Sequence, residues 1–391
     1  MVVGIMTGTS LDGVDAALAR VRGRGLLLRA ELVAHASAPL GALGPRLRAA
    51  AEQTPLTARD FASLALDLGE VCAAVAADLC ARAGAAPDLA SVHGQTIHHA
   101  PPRSWQILNP HPVARALECP VVFDLRGADV AEGGQGAPLT PLADWVLLRA
   151  PAARAVINLG GFANITLLPE DRGAPEEQVA RVRGCDVCAC NHLLDQGARE
   201  ALGAPFDPDG TTAERGRVHS ELAERLVARL APAGRSLGTG DEAWETLEGW
   251  RAQVAPEDLL ATICHAVARA IGRALASAGP RDVVVAGGGA RNARLVREIR
   301  EVVAAPVTSA SDHGIPVEQR ESLAWAVLGA LAQDGAAVTL PAVTGRRAHA
   351  LADGLWCLPA TGGRAGAPAE PVLYDGAASL RLPAGPRGPA G

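Results

Sequence analysis

Residues 2–21 read Val-Val-Gly-Ile-Met-Thr-Gly-Thr-Ser-Leu-Asp-Gly-Val-Asp-Ala-Ala-Leu-Ala-Arg-Val. The stretch is a short apolar strand, a turn of small polar residues and an alternating strand. Asp12-Gly13 alone signals a hairpin. The turn carries more than a hairpin needs, however. Gly8 and Gly13 let a ligand approach the backbone closely. Thr9 and Ser10 add hydroxyl donors, and Asp12 and Asp15 add carboxylates suited to a hydrated magnesium ion. The pattern returns at residues 154–168, where Arg-Ala-Val-Ile-Asn-Leu and Phe-Ala-Asn-Ile-Thr-Leu-Leu flank Gly160-Gly161. A third glycine turn, Gly287-Gly288-Gly289, follows the apolar run 282–286 and opens a helix.

One strand-turn-strand unit per half predicts a duplicated α/β architecture with a cleft between the halves. A dinucleotide-binding Rossmann unit is excluded at the first two turns, because Gly8 and Gly160 lead into strands rather than helices. The turn at 287–289 does lead into a helix, whose amides and dipole suit an anion or a nucleotide. The boundaries expected from this pattern are 1–135 plus 322–360 for one domain and 136–321 for the other. The Gly-, Ala-, Pro- and Arg-rich remainder from 361 to 391 is expected to be a disordered tail.

Composition narrows the chemistry. The 391 residues are 49% apolar, enough for two sizeable cores, but only 3% aromatic, so Ala, Val, Leu and Ile must fill them. All 36 basic residues are Arg. The absence of Lys excludes a Walker-A loop, a protein-kinase strand lysine and Schiff-base or pyridoxal chemistry. A net charge of −6 with no basic face argues against nucleic acid and anionic membrane as partners. There is no signal-peptide pattern and no apolar run of membrane-spanning length. Eight scattered Cys fit reduced thiols, and a cytoplasmic location is expected.

Local signals place the main elements. Helices are expected over 40–51, 57–83 (Thr57 as N-cap, with Asp60 three residues on), 191–202, 218–230, 242–251, 256–278, 293–302 and 317–331. Strands are expected over 26–35, 89–93, 105–108 and 121–123 besides those named above. Residues 124–140 read as a polar, Gly-rich loop.

Three glycine turns around one cleft suit a nucleoside triphosphate, since phosphoryl transfer needs positioning and charge neutralisation more than covalent chemistry. The wider pattern is specific. The chain carries Met-Thr-Gly-Thr-Ser-Leu-Asp-Gly-Val-Asp (6–15), His-Gly-Gln-Thr (93–96), Asp-Leu-Arg (124–126) and Gly-Gly-Gln-Gly-Ala-Pro-Leu (133–139). It continues with Asn-Leu-Gly-Gly-Phe-Ala-Asn (158–164), Gly-Gly-Gly-Ala-Arg-Asn (287–292), Glu-Ser-Leu-Ala-Trp-Ala (321–326) and Pro-Ala-Val-Thr-Gly (341–345). In this it resembles the anhydro-N-acetylmuramic acid kinase family of the actin-like, hexokinase and heat-shock-70 superfamily, from about Val3 to Thr344.

The resemblance implies a duplicated ribonuclease-H-like (actin-like ATPase) fold. It also implies an enzyme that uses ATP and water to convert 1,6-anhydro-N-acetylmuramate to N-acetylmuramate 6-phosphate. It implies magnesium, a cytosolic setting and a homodimer. Carried over position by position, Asp186 is the base, and Gly8, Thr9, Ser10, Leu11, Asp12, Gly13, Val14 and Asp15 form the ATP-phosphate loop. Asp12 is the candidate metal ligand. Gly160 and Gly161 line the cleft, and Gly287, Gly288 and Gly289 form the nucleoside turn. His93, Gln95, Arg126, Gln135 and Glu321 match sugar-pocket positions. An Arg suits the lactyl carboxylate of the sugar. From the residues alone, Asp186 is better read as a cap of the helix at 191, and Asp124 and Arg126 as a loop ion pair; the resemblance is what raises Asp186 above that reading.

The chain departs from the family pattern where ligands belong. The block Asp-Thr-Gly-Pro-Gly-Asn is replaced by Asp186-Val187-Cys188-Ala189-Cys190-Asn191, so ordinary side chains stand where a phosphate-approaching loop has Gly. Thr-Gly-Arg-Glu becomes Thr239-Gly240-Asp241-Glu242, an anion for a cation, and Gly-Asp becomes Leu108-Asn109. Cys185, Cys188, Cys190 and His192 include zinc-ligand types, but the Cys spacing is wrong and no second pair follows. His93, His98 and His99 read as pocket lining rather than a metal site. Two rivals follow from the departures: a non-catalytic sensor of sugar or nucleotide, and a kinase for a different sugar.

Overall fold

The computed structural model describes residues 1–359 except 9, 10, 12, 231–234, 239, 251 and 348–352. The expected disordered tail, and Thr9, Ser10 and Asp12 of the first turn, lie outside the described residues.

The apolar run at the N-terminus forms β1 (Val2–Thr7), which turns back into β2 (Gly13–Arg22) and then β3 (Arg29–Pro39). Helices α1 (Leu43–Ala51) and α2 (Ala58–Arg82) cross over to β4 (Leu89–Val92). The Thr57–Asp60 capping box starts α2. A hairpin of β5 (Gln95–Ala100) and β6 (Arg103–Ile107) and the short α3 (His111–Leu117) lead to β7 (Val121–Phe123). Next come α4 (Leu125–Ala131) and α5 (Pro141–Leu148).

The second half repeats the plan with β8 (Arg154–Leu159), β9 (Phe162–Leu168), α6 (Pro175–Arg181) and β10 (Arg183–Ala189). Helices α7 (Asn191–Leu202), α8 (Ser220–Arg229) and α9 (Pro256–Leu275) precede β11 (Asp282–Ala286). The half ends with α10 (Ala293–Val302) and β12 (Val307–Ser309). Then α11 (Arg320–Gln333), α12 (Pro341–Thr344) and β13 (Leu355–Cys357) close the described chain.

The larger sheet has the order β13-β7-β4-β1-β2-β3 and the smaller β10-β9-β8-β11-β12. In each, three strands meander antiparallel and two more add in parallel beside the first, and in the larger sheet β13 adds a sixth, antiparallel to β7. The parallel additions need crossovers, which the helices supply. This is the ribonuclease-H-like topology, present twice.

Strand alternation assigns the faces. Val3 and Ile5 pack with Val14, Leu18, Leu64 and Leu68 under α2. Ile157 and Val285 pack with Ile263, Ile271 and Ile299 under α9 and α10. The opposite faces of both sheets share a third core in which Val2, Val156 and Val284 meet Trp145 of α5 and Leu323 and Leu328 of α11. Helix α11 is buried on nearly every side. It crosses β1 at Gly4, where a Cβ would lie 2.0 Å from Ser322 O, so only glycine admits this approach.

Several elements differ from the expectation. Residues 124–140 contain α4, because Asp124 caps it: Gly127 N donates to Asp124 Oδ1 at 3.0 Å. The helix expected over 242–251 is a single 3-10 turn at Trp244–Leu247, entered through left-handed Ala243. The third strand starts later than Leu26, because Gly25–Leu27 form a tight turn and Leu28 tucks into the core. Strands β5 and β10 and helix α6 gave too little local periodicity to be read.

Candidate active site

The end of β1, where the first turn begins, is tied to the link between β4 and β5 that carries His93. Thr7 Oγ1 donates to Gly94 O at 2.5 Å, and His93 N donates to Ile5 O at 3.0 Å. Within the turn, Leu11 N donates to Gly8 O at 3.3 Å, and Leu11 takes a left-handed φ of 58°. The side chains of Leu11 and Val14 are in the core. What those two positions offer a ligand is therefore backbone. Asp15 stays half-buried, its Oδ1 accepting from Ser37 Oγ at 2.5 Å and Gln319 Nε2 at 3.3 Å.

The second and third turns meet through two asparagines the motif reading left unassigned. Asn158, at the end of β8 and 3% exposed, donates from Nδ2 to Glu321 Oε1 at 3.2 Å. Its buried Oδ1 has no partner among the described residues. Asn191 Nδ2 donates to Leu159 O at 3.1 Å. Gly287 adopts φ 83° and ψ 167°, and a Cβ there would lie 2.8 Å from both Asn158 Oδ1 and Leu159 O. A Cβ on Gly289 would lie 2.7 Å from Asn191 Oδ1. The glycines at 287 and 289 thus let the turn seat against the Asn158–Gly161 turn, and Gly288 between them is exposed. The Gly160 and Gly161 carbonyls accept the amides of Asn191 (3.0 Å), Cys190 (2.9 Å) and His192 (3.2 Å). The start of α7 therefore spends these amides within the protein.

Burial pushes the Glu321 carboxyl upward, and nearby Asp15 and Asp144 add to the effect against the pull of Arg320. Four residues on, Trp325 lies one helical turn away on the same face, its ring 4.9 Å from the His93 ring. One face of α11 thus touches both parts of the cleft. Glu321 belongs to the Asn158–Asp15 part.

The other part is built around Arg126 of α4. Arg126 Nη2 lies 3.3 Å from His93 Nε2, and Nη1 lies 3.5 Å from His99 Nε2. A guanidinium only donates, so both Nε2 atoms accept and each imidazole carries its proton on Nδ1. The partners agree: His93 Nδ1 meets Gly94 O at 2.7 Å and His99 Nδ1 meets Ser104 Oγ at 3.0 Å. Both rings are neutral. Burial, then the adjacent Arg126 charge, pushes His93 down to about 3 and His99 to about 4. Burial also brings Arg126 down to about 10, opposed by Asp186, Asp124 and Asp129. Its hydrogen bonds go to imidazoles rather than a carboxylate, and its buried Nε has no partner among the described residues. Asp124 serves as the α4 cap instead of an ion-pair partner.

The loop after α4 is fastened behind Arg126. Buried Asp129 accepts Gly136 N at 2.7 Å and Thr344 Oγ1 at 2.6 Å, and Gln135 N donates to Thr344 O at 2.8 Å. A Cβ on Gly136 would lie 3.0 Å from Arg126 Cγ. The Gln135 side chain is exposed, whereas Gln95 is buried with Nε2 donating to Thr96 O at 3.3 Å.

From the other half, Asp186 faces this cluster. It sits at a bulge between β10 and β9, and its Oδ2 accepts Leu237 N at 2.9 Å. Burial raises its carboxyl above the usual 3.8, against the Leu237 hydrogen bond and the Arg126 charge. The substituted residues after it are no obstacle in the cleft, because Val187, Cys188, Ala189 and Cys190 are all buried in the core of the smaller sheet. Burial pushes the Cys188 thiol up to about 12. Cys185 is exposed on the strand. The altered Asp241 is neutralised within its own segment, with Arg235 Nη2 donating to its Oδ1 at 2.6 Å.

Asp186 and the desolvated Arg126 thus stand together, apart from the contacts among the three glycine turns. A family model described as anhydro-N-acetylmuramic acid kinase matches residues 1–355. The chain belongs to the anhydro-N-acetylmuramic acid kinase family. A relative of that name from Bordetella pertussis is 38% identical over 88% of this chain and 93% of its own length. One from Synechococcus sp. WH7803 is 38% identical over 88% and 96%, and one from Salinibacter ruber 36% identical over 89% and 94%. Among solved structures, the activator of 2-hydroxyisocaproyl-CoA dehydratase from Clostridium difficile overlaps it at TM-score 0.43 and 14% identity, over 84% of this chain and 94% of that one. So loose an overlap adds nothing to the strand order.

In this member of the anhydro-N-acetylmuramic acid kinase family, the contacts bring in residues that motif matching left out. Asn158 and Asn191 stood inside quoted blocks; a polar residue near the end of an apolar strand was the signal for Asn158, and a polar residue opening a helix the signal for Asn191. Leu237 acts through its amide, for which no side chain gives a signal.

Proposed function

We propose that the chain uses ATP and water to open 1,6-anhydro-N-acetylmuramate and phosphorylate O6, giving N-acetylmuramate 6-phosphate and ADP in murein recycling. The observation that carries this reading is Arg126, a buried guanidinium bonded to two neutral histidines and facing Asp186. Such a cation suits a ligand that brings its own carboxylate, as the lactyl group does.

Asp186 takes the proton of a water that attacks the anomeric carbon. The bond from that carbon to O6 breaks, and O6 attacks the γ-phosphorus of ATP, releasing ADP. Leu237 N fixes one oxygen of the base while burial raises its proton affinity. Arg126 orients the sugar, and His93 and His99 hold Arg126 without adding charge.

The phosphates belong to the turns at Gly8–Asp15 and Gly160–Gly161, and the nucleoside to the turn at Gly287–Gly289. The orphaned Asn158 Oδ1 is an acceptor, so it suits a hydroxyl, an amino group or a cation of the bound nucleotide rather than a phosphate oxygen. Magnesium, with Asp12 as candidate ligand, would neutralise phosphate charge. Domains divided at 135 and 321, a homodimer and a cytoplasmic location belong to the same reading, supported by the family resemblance.

The test is ATP-dependent conversion of the anhydro sugar followed by ADP release. Wild-type turnover that Asp186→Asn lowers by a factor on the order of 10²–10⁴ is expected. Calorimetric binding of sugar and ATP without turnover would instead establish the sensor. Turnover of another sugar in preference to this one would replace the substrate.

A further inference from the structure

We propose that the Arg235–Asp241 ion pair is the positioning device of the base, folding its segment so that the Leu237 N–H stays on Asp186. It takes the place of the cation that the family pattern has at position 241. The inference rests on the proposed role of Asp186 and extends it to residues that touch no substrate.

The pair is bidentate. Arg235 Nη2 donates to Asp241 Oδ1 at 2.6 Å and Nη1 to Oδ2 at 2.9 Å. That geometry fixes direction as well as distance. Asp241 Oδ2 also accepts Gly238 N at 2.9 Å, and Asp241 N returns a bond to Gly238 O at 3.0 Å. Arg235 Nη1 donates to Ser236 O at 2.8 Å. Between these fastenings, Leu237 N reaches Asp186 Oδ2 at 2.9 Å. Ser236 Oγ donates to Ala137 O at 3.1 Å, tying the segment to the loop that packs Gly136 against Arg126.

An exposed ion pair contributes little to global stability. The Arg235 side chain is 55% exposed, but that of Asp241 only 16%. The consequence is local: opening the pair releases the amide that holds the base. The charges facing Asp186 are Arg126 from α4 and Asp241, with its partner Arg235, from this segment. On its own strand the neighbouring Cys185 is neutral. Asn164 opposite it on β9 and the α12 residues 341–344 carry no charge. Arg235 therefore neutralises an anion set near the base.

The experiment compares the full-length wild type, Arg235→Gln and the reversal Arg235→Asp/Asp241→Arg. For R235Q, kcat should fall about tenfold with KM for ATP unchanged, and the acid limb of kcat should move up by about half a pH unit. The reversal remakes the ion pair with the cation at 241 but gives up the Gly238 N bond, so kcat should recover part of the loss, to within about threefold of the wild type. Its acid limb should move below that of the wild type. The Leu237 amide, followed by selective ¹⁵N labelling, should titrate with the base in the wild type and lose that titration in R235Q.

An unchanged pH profile and Leu237 titration in R235Q would overturn the proposal, as would a reversal as impaired as R235Q at an unchanged melting temperature. If the wild type lacks turnover on the anhydro sugar, the functional reading fails, and the Leu237 titration still decides the role of the pair.

Discussion

Arg126 Nη2 donates to His93 Nε2 at 3.3 Å, so a buried cation is held by a neutral ring rather than balanced by a carboxylate. That relationship leaves the guanidinium's charge for a ligand, and it has a consequence for specificity. Arg126→Gln should raise KM for 1,6-anhydro-N-acetylmuramate at least about tenfold, since a charge-assisted bidentate pair contributes more than a neutral hydrogen bond. The same variant should handle 1,6-anhydro-N-acetylglucosamine, which lacks the lactyl group, no worse than the wild type does. Equal losses on both sugars would remove Arg126 from carboxylate recognition.

The neutral histidines also set a pH dependence of stability. His93 titrates near 3 when folded and near its ordinary 6.5 when unfolded. Between those values the unfolded chain binds the extra proton, so stability is full above pH 6.5 and is lost as pH falls toward 3. One such group steepens the loss by up to about 1.4 kcal/mol per pH unit. Urea unfolding from pH 7 to 4.5 should show a steeper decline for the wild type than for His93→Gln. Parallel declines would show that His93 is not a buried neutral group.

Gly287 is held at φ 83°, against the oxygen of Asn158. Gly287→Ala forces a Cβ into that contact, and the strain is on the order of 1–3 kcal/mol. The expected result is a KM for ATP raised at least about tenfold with the KM for sugar little changed. Fluorescence titration with a nucleotide analogue checks the same point without turnover. Unaltered nucleotide affinity would place the nucleoside elsewhere.

Arg320 and Asp144 form a fully buried pair between α11 and α5, with Arg320 Nε on Asp144 Oδ1 at 2.8 Å and Thr166 Oγ1 on Asp144 Oδ2 at 2.7 Å. Asp144→Ala strands the guanidinium and should cost about 3–5 kcal/mol. Replacing both residues by apolar ones, as in Asp144→Leu/Arg320→Met, should cost clearly less. Differential scanning calorimetry measures both. If the double variant is the less stable of the two, the pair is a net stabiliser rather than a mutually dependent arrangement.

The repeated strand-turn-strand pattern around Gly8 and Gly160 already determined the duplicated α/β architecture, because an apolar strand turning on glycine into an alternating strand is a local signal. The eight motif blocks likewise contain His93 and Arg126, each legible within a few residues, and the resemblance carried over Asp186 from a block that departs from the family pattern. The division of labour among them was not legible. Whether Asp186 caps a helix or faces a guanidinium depends on β10, whose pattern was too irregular to be read and which ends in core residues. Asp124 and Arg126 looked like an ion pair; the left-handed start of α4 made one a cap and sent the other to the histidines. Glu321 was grouped with the sugar residues by motif alone, yet α11 delivers it to Asn158, 163 residues away. The neutral histidines, the raised Asp186 carboxyl and the Leu237 amide all arise from burial and from segments far apart in the chain. Sequence carries identity and local periodicity; desolvation and long-range contact exist only once the two sheets close on α11.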